Sequence, residues 1–222
     1  MRLLLVRHGE TEGNLRRELQ GAEDPLTERG RRQARELAAH LGGRTGVSAI
    51  YTSPYRRACE TARAIGDALH MKPVPRAGLA EVDVGDAAGY RFEEWAERFP
   101  DEAARFRDDG LGYAWPGGES GHQVAARTSA EADRILGTHR KERGAVIVVS
   151  HGGVLAWILS HLLKETGDGW PYEHMRLDNC SITEMEVPSG GAEPATFIYR
   201  NEIGHLLSDP DAEIAKGQSP VD

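Results

Sequence analysis

The segment Leu3-Leu4-Leu5-Val6-Arg7-His8-Gly9-Glu10-Thr11 joins four β-prone apolar residues directly to a charged cluster that contains a glycine. A continuous apolar run without polar alternation is the pattern of a strand covered on both faces. Val47 to Thr52 and Ala145 to Val149 repeat it. Between these runs Ala34, Leu37, Ala38 and Leu41 fall on one helix face, as Leu155, Ile158, Leu159 and Leu162 do later. Strands alternating with helices predict an α/β fold, a three-layer α/β/α sandwich with a mainly parallel central sheet.

The Leu3 to Val6 run is too short for the apolar core of a secretory signal, which needs about 7–15 residues. Nor does any apolar run approach the roughly 18 residues that span a bilayer. Cys59 and Cys180 form no CxxC pair and suit a reducing compartment, so the expected location is cytoplasmic. A chain of 222 residues suggests one domain over 1–208, with a helical lid insertion at about 90–118 and a frayed tail over 209–222. The net charge of −8 makes nucleic acid and membrane poor partners, because anionic surfaces repel it. An anionic substrate would therefore need local positive charge.

Finer features follow from turn and cap chemistry. Ser53-Pro54 offers an N-cap hydroxyl and a first-turn proline, and Ser120 with Gln123 forms a capping box for a helix reaching about Arg140. Ser181 to Val187 and Thr196 to Tyr199 read as strands around a turn at Ser189-Gly190-Gly191. Tyr90, Phe92, Trp95, Phe99, Phe106, Tyr113 and Trp115 are seven of the chain's 14 aromatic residues, which marks 90–115 either as a lid or as a small core of its own. If Tyr90, Trp95, Tyr113 or Trp115 face the cleft, the leaving group should be bulky or partly apolar. A homodimer is left open, with Trp157, Trp170 and Tyr172 as candidates for internal packing or a contact between copies.

In an open parallel sheet, ligands bind beyond the carboxyl ends of the strands. Three polar clusters fall there: Arg7 to Thr11, Ser53 to Arg57, and Ser150-His151-Gly152-Gly153. Together they supply histidines, arginines that can grip phosphate oxygens bidentately, and a glycine-led helix start with oriented N–H groups. That combination reads as a phosphate pocket. Adjacent Arg56 and Arg57 cannot both aim at one ligand, so one of them is structural. His40, His70, His122, His139, His161, His174 and His205 have no comparable setting and read as solvated or packed side chains.

Leu4 to Thr11 with Asn14 resembles the signature of the histidine phosphatase superfamily, which includes cofactor-dependent phosphoglycerate mutases and many small-molecule phosphatases. Family-like segments continue in order through Asp24-Pro25-Leu26-Thr27, Tyr51-Thr52-Ser53-Pro54 with Arg57, Leu79-Ala80-Glu81, Pro116-Gly117-Gly118-Glu119-Ser120 and Val149 to Gly153. Asn179 to Thr183 and Asn201 with His205-Leu206 complete a resemblance covering roughly residues 3–206. It implies a small phosphomonoester substrate hydrolysed without metal or cofactor. His8 would attack phosphorus to give a phosphohistidine. Arg7, Arg57 and His151 would clamp the transferring group, and Glu81 would protonate the leaving oxygen. Asn14, Gln20, Gly21, Gly152 and Tyr90 would lie on the substrate-binding side. Desolvation beside a phosphate should favour protonated Glu81. Glu10 and Asp83 are rival acids that read better as solvated or capping carboxylates.

The residues exclude several other chemistries. No Cx5R loop, Walker lysine motif or HExxH metal spacing is present, and Val148 replaces the first glycine of a serine-hydrolase elbow at Val148 to Gly152. After Glu81 the chain reads Val82-Asp83-Val84-Gly85-Asp86-Ala87-Ala88-Gly89-Tyr90, without the Glu-Arg-His-Tyr-Gly run of the mutases. This resembles the phosphatase branch. Mutase-type phosphoryl transfer and a silent phosphate-binding role are the alternatives.

Overall fold

The computed structural model describes residues 1–142, 144–165, 171, 175–188 and 193–206. Six strands, β1 (Arg2–Arg7), β2 (Val47–Thr52), β3 (Val74–Pro75), β4 (Ala145–Ser150), β5 (Ile182–Glu186) and β6 (Thr196–Glu202), form one sheet in the order β3-β2-β4-β1-β5-β6. β3, β2, β4 and β1 run parallel, while β5 pairs antiparallel with β1 and β6 antiparallel with β5. The helices are α1 (Glu12–Arg16), α2 (Glu28–Leu41), α3 (Arg56–Leu69), α4 (Phe92–Arg98), α5 (Pro100–Asp109), α6 (Gly121–His139) and α7 (Gly152–Leu163).

Side chains of β1 alternate between two cores, which is why its sequence shows no polar break. Leu3 and Leu5 join Val146 and Val148 against Ala132 and Ile135 of α6 and Leu155, Ile158, Leu159 and Leu162 of α7. Leu4 and Val6 join Ile147 and Val149 against Ala34, Leu37 and Leu41 of α2 and Ala58, Ala62 and Ile65 of α3. Each buried leucine contributes about 1.5–3 kcal/mol, so the middle of the sheet is held firmly from both sides. The α/β sandwich with a mainly parallel sheet is thus the observed architecture.

Strand register gathers the polar clusters. Arg7 lies beside Ser150 and Thr52 beside Val149, so the residues that follow β1, β2 and β4 emerge at one edge. The His8 N–H donates to the Ser150 carbonyl at 3.0 Å and the Ser53 N–H to the Val149 carbonyl at 2.9 Å. Three remote segments therefore meet because their strands end in step.

Some local expectations change. α3 begins at Arg56 behind an extended Tyr55, and no side chain caps it. The Ser53 hydroxyl is turned elsewhere, accepting the Tyr55 N–H at 3.1 Å. The Ser120 capping box is present, with the Gln123 carboxamide accepting the Ser120 N–H at 2.8 Å. β6 runs three residues beyond Tyr199, to Glu202. Trp157 packs inside the chain against Val124. The turn at Ser189 to Gly191, the tail over 209–222, Trp170, Tyr172 and His174 lie outside the described residues.

The aromatic segment forms its own core. Trp95, Tyr113 and Trp115 are buried among Val84, Ala87 and Ala103, and the Trp95 and Trp115 rings stand 4.8 Å apart. The Tyr113 hydroxyl donates to Glu102 at 2.9 Å. These three rings fill the segment rather than face a cleft, so they give no ground for a bulky leaving group. Among the described residues, no helix is long and apolar enough to cross a membrane.

Candidate active site

His8 sits just beyond β1 and is 2% exposed. Its Nδ1 lies 2.7 Å from the Gly9 carbonyl, which can only accept, so Nδ1 carries the proton. The lone pair is left on Nε2, where the Arg57 Nε–H donates to it at 3.2 Å. Burial, then the charges of Arg7 and Arg57, push the imidazole well below its ordinary range. His8 is neutral at neutral pH, with an available nucleophilic nitrogen. Gly9 is required beside it, because a Cβ there would come within 2.6 Å of the Gly30 carbonyl oxygen.

Arg57 lies in the first turn of α3, buried, and donates to the Gly21 carbonyl at 2.6 Å. Its guanidinium stands 5.3 Å from the Tyr55 ring centre. Arg56 turns outward to Glu60 at 2.9 Å, so the adjacent arginines divide between site and surface. Arg7 donates to the Leu177 carbonyl at 2.6 Å, while its Nε is buried without a hydrogen-bond partner among the described residues. His151, fully buried, stands with its ring centre 5.1 Å from that of His8. Burial, then Arg57, His8, Arg7 and Arg127, hold it well below the usual histidine range.

Glu81 departs from expectation in its partners. Its oxygens accept N–H groups from Val82 at 3.0 Å, Gly153 at 3.3 Å and Val154 at 3.2 Å. The start of α7, expected to offer its amides to phosphate, therefore holds the Glu81 carboxylate through Gly153 and Val154. Carboxylate and helix N-terminus attract, which explains the docking. A Cβ on Gly153 would lie 2.8 Å from Glu81 Oε1, so only glycine admits the carboxylate this closely. Gly152 instead faces Arg7, since a Cβ there would be 3.7 Å from its Nε.

Arg127 of α6 braces the loop that carries Glu81. It donates to the carbonyls of Gly78 at 3.2 Å, Ala80 at 2.8 Å and Glu81 at 3.1 Å, and pairs with Glu119 at 2.5 Å. Glu119 in turn accepts the Asp83 N–H at 3.0 Å. The rival acids have other employment: Glu10 pairs with Arg29 at 2.7 Å and Asp83 caps Gly85 at 3.0 Å.

The substrate-side residues divide. Asn14 closes the capping box that Thr11 opens on α1, accepting the Thr11 N–H at 3.2 Å, and the Asn179 amide donates both to it at 3.1 Å and to the His8 carbonyl at 2.9 Å. Gln20 accepts from the Thr11 hydroxyl at 2.7 Å, and Gly21 holds Arg57 through its carbonyl. Gly21 thus touches Arg57 directly, whereas Asn14 reaches the His8 carbonyl through Asn179 and Gln20 through Thr11 and Asn14. Tyr90 is different: its ring packs near Phe99 and Arg98, and no contact joins it to His8, Arg57 or His151 among the described residues. Its carbonyl accepts the Leu19 N–H at 2.8 Å. Sequence reasoning passed over the roles of Ser53, Tyr55, Arg127 and Asn179. Ser53 had a visible signal, as the first residue after an apolar strand. Arg127 had none, being one arginine on a helix face.

The two buried neutral imidazoles make stability depend on pH. Unfolding restores their ordinary affinity for protons, so below about pH 6.5 the unfolded state binds more protons and is favoured. Stability contributed by keeping them neutral is whole above that pH and falls as pH drops, by up to about 1.4 kcal/mol per pH unit for each histidine. Burial also lowers His205, so urea unfolding at pH 7.5, 6.5 and 5.5 should show this loss and His151→Gln should flatten the slope by up to about half its histidine part. An unchanged slope in that variant would mean His151 titrates normally in the fold.

Among the described residues, no group of three or more His, Cys, Asp or Glu is arranged to hold a metal ion. Residues 3–198 match the profile of the histidine phosphatase superfamily, branch 1. A bifunctional protein of Mycobacterium tuberculosis is 36% identical over 206 residues, covering 92% of this chain, which spans only 55% of that relative's length. A metal-independent phosphoserine phosphatase of Arabidopsis thaliana is 36% identical over 188 residues, covering 83% of this chain and 76% of that protein. The structure of a mycobacterial glucosyl-3-phosphoglycerate phosphatase in complex with VO3 superposes with a TM-score of 0.79 at 28% identity, covering 91% of this chain and 99% of that one.

Proposed function

The chain belongs to the histidine phosphatase superfamily, branch 1, and from that premise we propose that it is a metal-independent phosphomonoesterase acting on a small phosphorylated metabolite through a phosphohistidine on His8. The observation that carries the proposal is the neutral His8, its Nε2 lone pair held among Arg7, Arg57 and His151. Phosphoryl transfer has a loose transition state, so catalysis is mostly positioning and charge stabilisation, and such a cluster can perform it.

The substrate's phosphoryl oxygens take over the Arg57 donor that rests on His8 Nε2 and engage the Arg7 Nε–H and the His151 ring, whose Nδ1 like Arg7 Nε has no hydrogen-bond partner among the described residues. Nε2 then bonds to phosphorus as the bond to the leaving oxygen breaks. Glu81, having taken up a proton from solvent as the substrate binds, passes it to the leaving alkoxide, giving up an amide of Gly153 or Val154 to meet it. In the second half water bonds to phosphorus as the bond to His8 Nε2 breaks, Glu81 taking the water's proton and inorganic phosphate leaving. Arg127 keeps the Glu81 loop in register during both steps. The relatives named for phosphoserine and glucosyl-3-phosphoglycerate set the range of leaving groups to try first, all of them small polar alcohols.

The test is phosphate release from a panel of phosphoserine, phosphoglycerates, sugar phosphates and nucleotides in EDTA, with His8→Ala as the blank. Release from at least one alkyl phosphate that survives EDTA is the expected result. Isomerisation of a phosphoglycerate without release would replace hydrolysis by mutase chemistry. Phosphate bound without any acid-labile phosphoenzyme would leave only a binding role.

A further inference from the structure

Ser53 follows β2 and is fully buried. Its Oγ accepts the Tyr55 N–H at 3.1 Å and lies 2.7 Å from Nε2 of His151. A hydroxyl has one proton to donate and can accept on its oxygen. With the Tyr55 N–H donating to that oxygen and no solvent exposure, the hydroxyl proton needs an acceptor, and among the described residues His151 Nε2 is the one within reach. His151 Nε2 must then carry a lone pair, and the ring proton sits on Nδ1. That Nδ1 is itself buried with no hydrogen-bond partner among the described residues.

His8 is fixed the opposite way, its Nδ1–H bound to the Gly9 carbonyl and its lone pair on Nε2. Two uncharged imidazoles 5.1 Å apart are thus assigned different tasks, one to present a lone pair and one to present an N–H. The assignment matters because His151 is surrounded by cationic Arg57, Arg7 and Arg127 and cannot rely on becoming imidazolium. A neutral histidine is a donor at one nitrogen and an acceptor at the other, so the wrong tautomer would turn a lone pair toward an anionic phosphoryl oxygen.

We propose that Ser53 is a positioning residue that locks His151 in the Nδ1–H tautomer, so that the uncharged ring donates a hydrogen bond to the transferring phosphoryl group. The proposal rests on the phosphomonoesterase reading for its catalytic consequence, but not for the tautomer. Tyr55 closes the arrangement: its N–H occupies the Ser53 oxygen while its ring stands 5.3 Å from the His151 ring.

The test has two arms. Nitrogen-15 NMR of the ligand-free wild-type protein reads the His151 tautomer directly and needs no substrate. Nδ1 protonated is expected, and Nε2 protonated overturns the proposal whatever the activity proves to be. In the second arm, Ser53→Ala and Ser53→Thr are compared with wild type on the best substrate of the panel. Ser53→Ala should show mixed His151 tautomers, an unchanged His8 signal, and kcat lower by about 10–100-fold with a smaller change in KM. Ser53→Thr keeps a hydroxyl and should restore the tautomer and most of kcat. A folded Ser53→Ala protein with wild-type tautomer and kcat overturns the proposal. So does a kcat loss that Ser53→Thr, folded and with the wild-type tautomer, fails to recover. If no phosphatase substrate is found, the first arm still decides the tautomer, so failure of the activity and failure of this inference are told apart.

Discussion

His8→Ala should abolish turnover, lowering kcat on the order of 10⁴-fold or more, because the step it removes is bond formation to phosphorus itself. Nothing nearby can substitute. His151 has its Nε2 bonded to Ser53 and so presents no lone pair to the substrate, and Glu10 is tied to Arg29 and Thr27. The variant should also lose the acid-labile phosphate that brief mixing with substrate leaves on the wild type. Acid-quench trapping with labelled substrate checks this in one experiment. Phosphate binding should persist, since Arg7, Arg57 and His151 remain and Arg57 gains a free N–H where His8 Nε2 had accepted it. Turnover surviving in a folded His8→Ala protein would remove the covalent route.

Glu81→Gln should divide substrates by the leaving group. An alkoxide must be protonated as it departs, so hydrolysis of an alkyl phosphate should slow by about 10²–10⁴-fold. An aryl phosphate whose phenolate is stable without a proton should lose far less. Comparison of a serine or sugar phosphate with p-nitrophenyl phosphate reads the difference directly. Equal losses on both would place the role of Glu81 in folding or binding rather than proton transfer. Some destabilisation accompanies the change. The glutamine amide meets the N–H groups of Val82, Gly153 and Val154 with one oxygen instead of two, leaving a partly buried donor poorly matched at about 1 kcal/mol.

How much of this was legible in the sequence depends on the range of the interaction. β1 and β4 could be read because Leu3 to Val6 of the first and every side chain of the second are buried on one face or the other, which leaves an uninterrupted apolar run. His8 and His151 followed from those strands, since the polar residue after a buried parallel strand lies at the ligand edge. Glu81 was identified through its resemblance to a family segment, yet its docking on α7 was not foreseen. That contact joins residues more than 70 positions apart through backbone N–H groups, which carry no side-chain signature. Ser53 was misread for a related reason. A serine before a proline has a strong local preference for capping, and a tertiary partner, the His151 ring, outbid that preference. The aromatic rings of 90–115 showed a cluster without showing whether it faced inward, because composition does not encode direction.

The two histidines hang from β1 and β4, which occupy the middle of the six-stranded sheet with a hydrogen-bonded neighbour on each side. Backbone amides there exchange with solvent only when the whole sheet comes apart, unlike those of an edge strand that frays alone. Heat inactivation and global melting should therefore coincide, and the assay that reports catalysis will also report the integrity of the whole sheet.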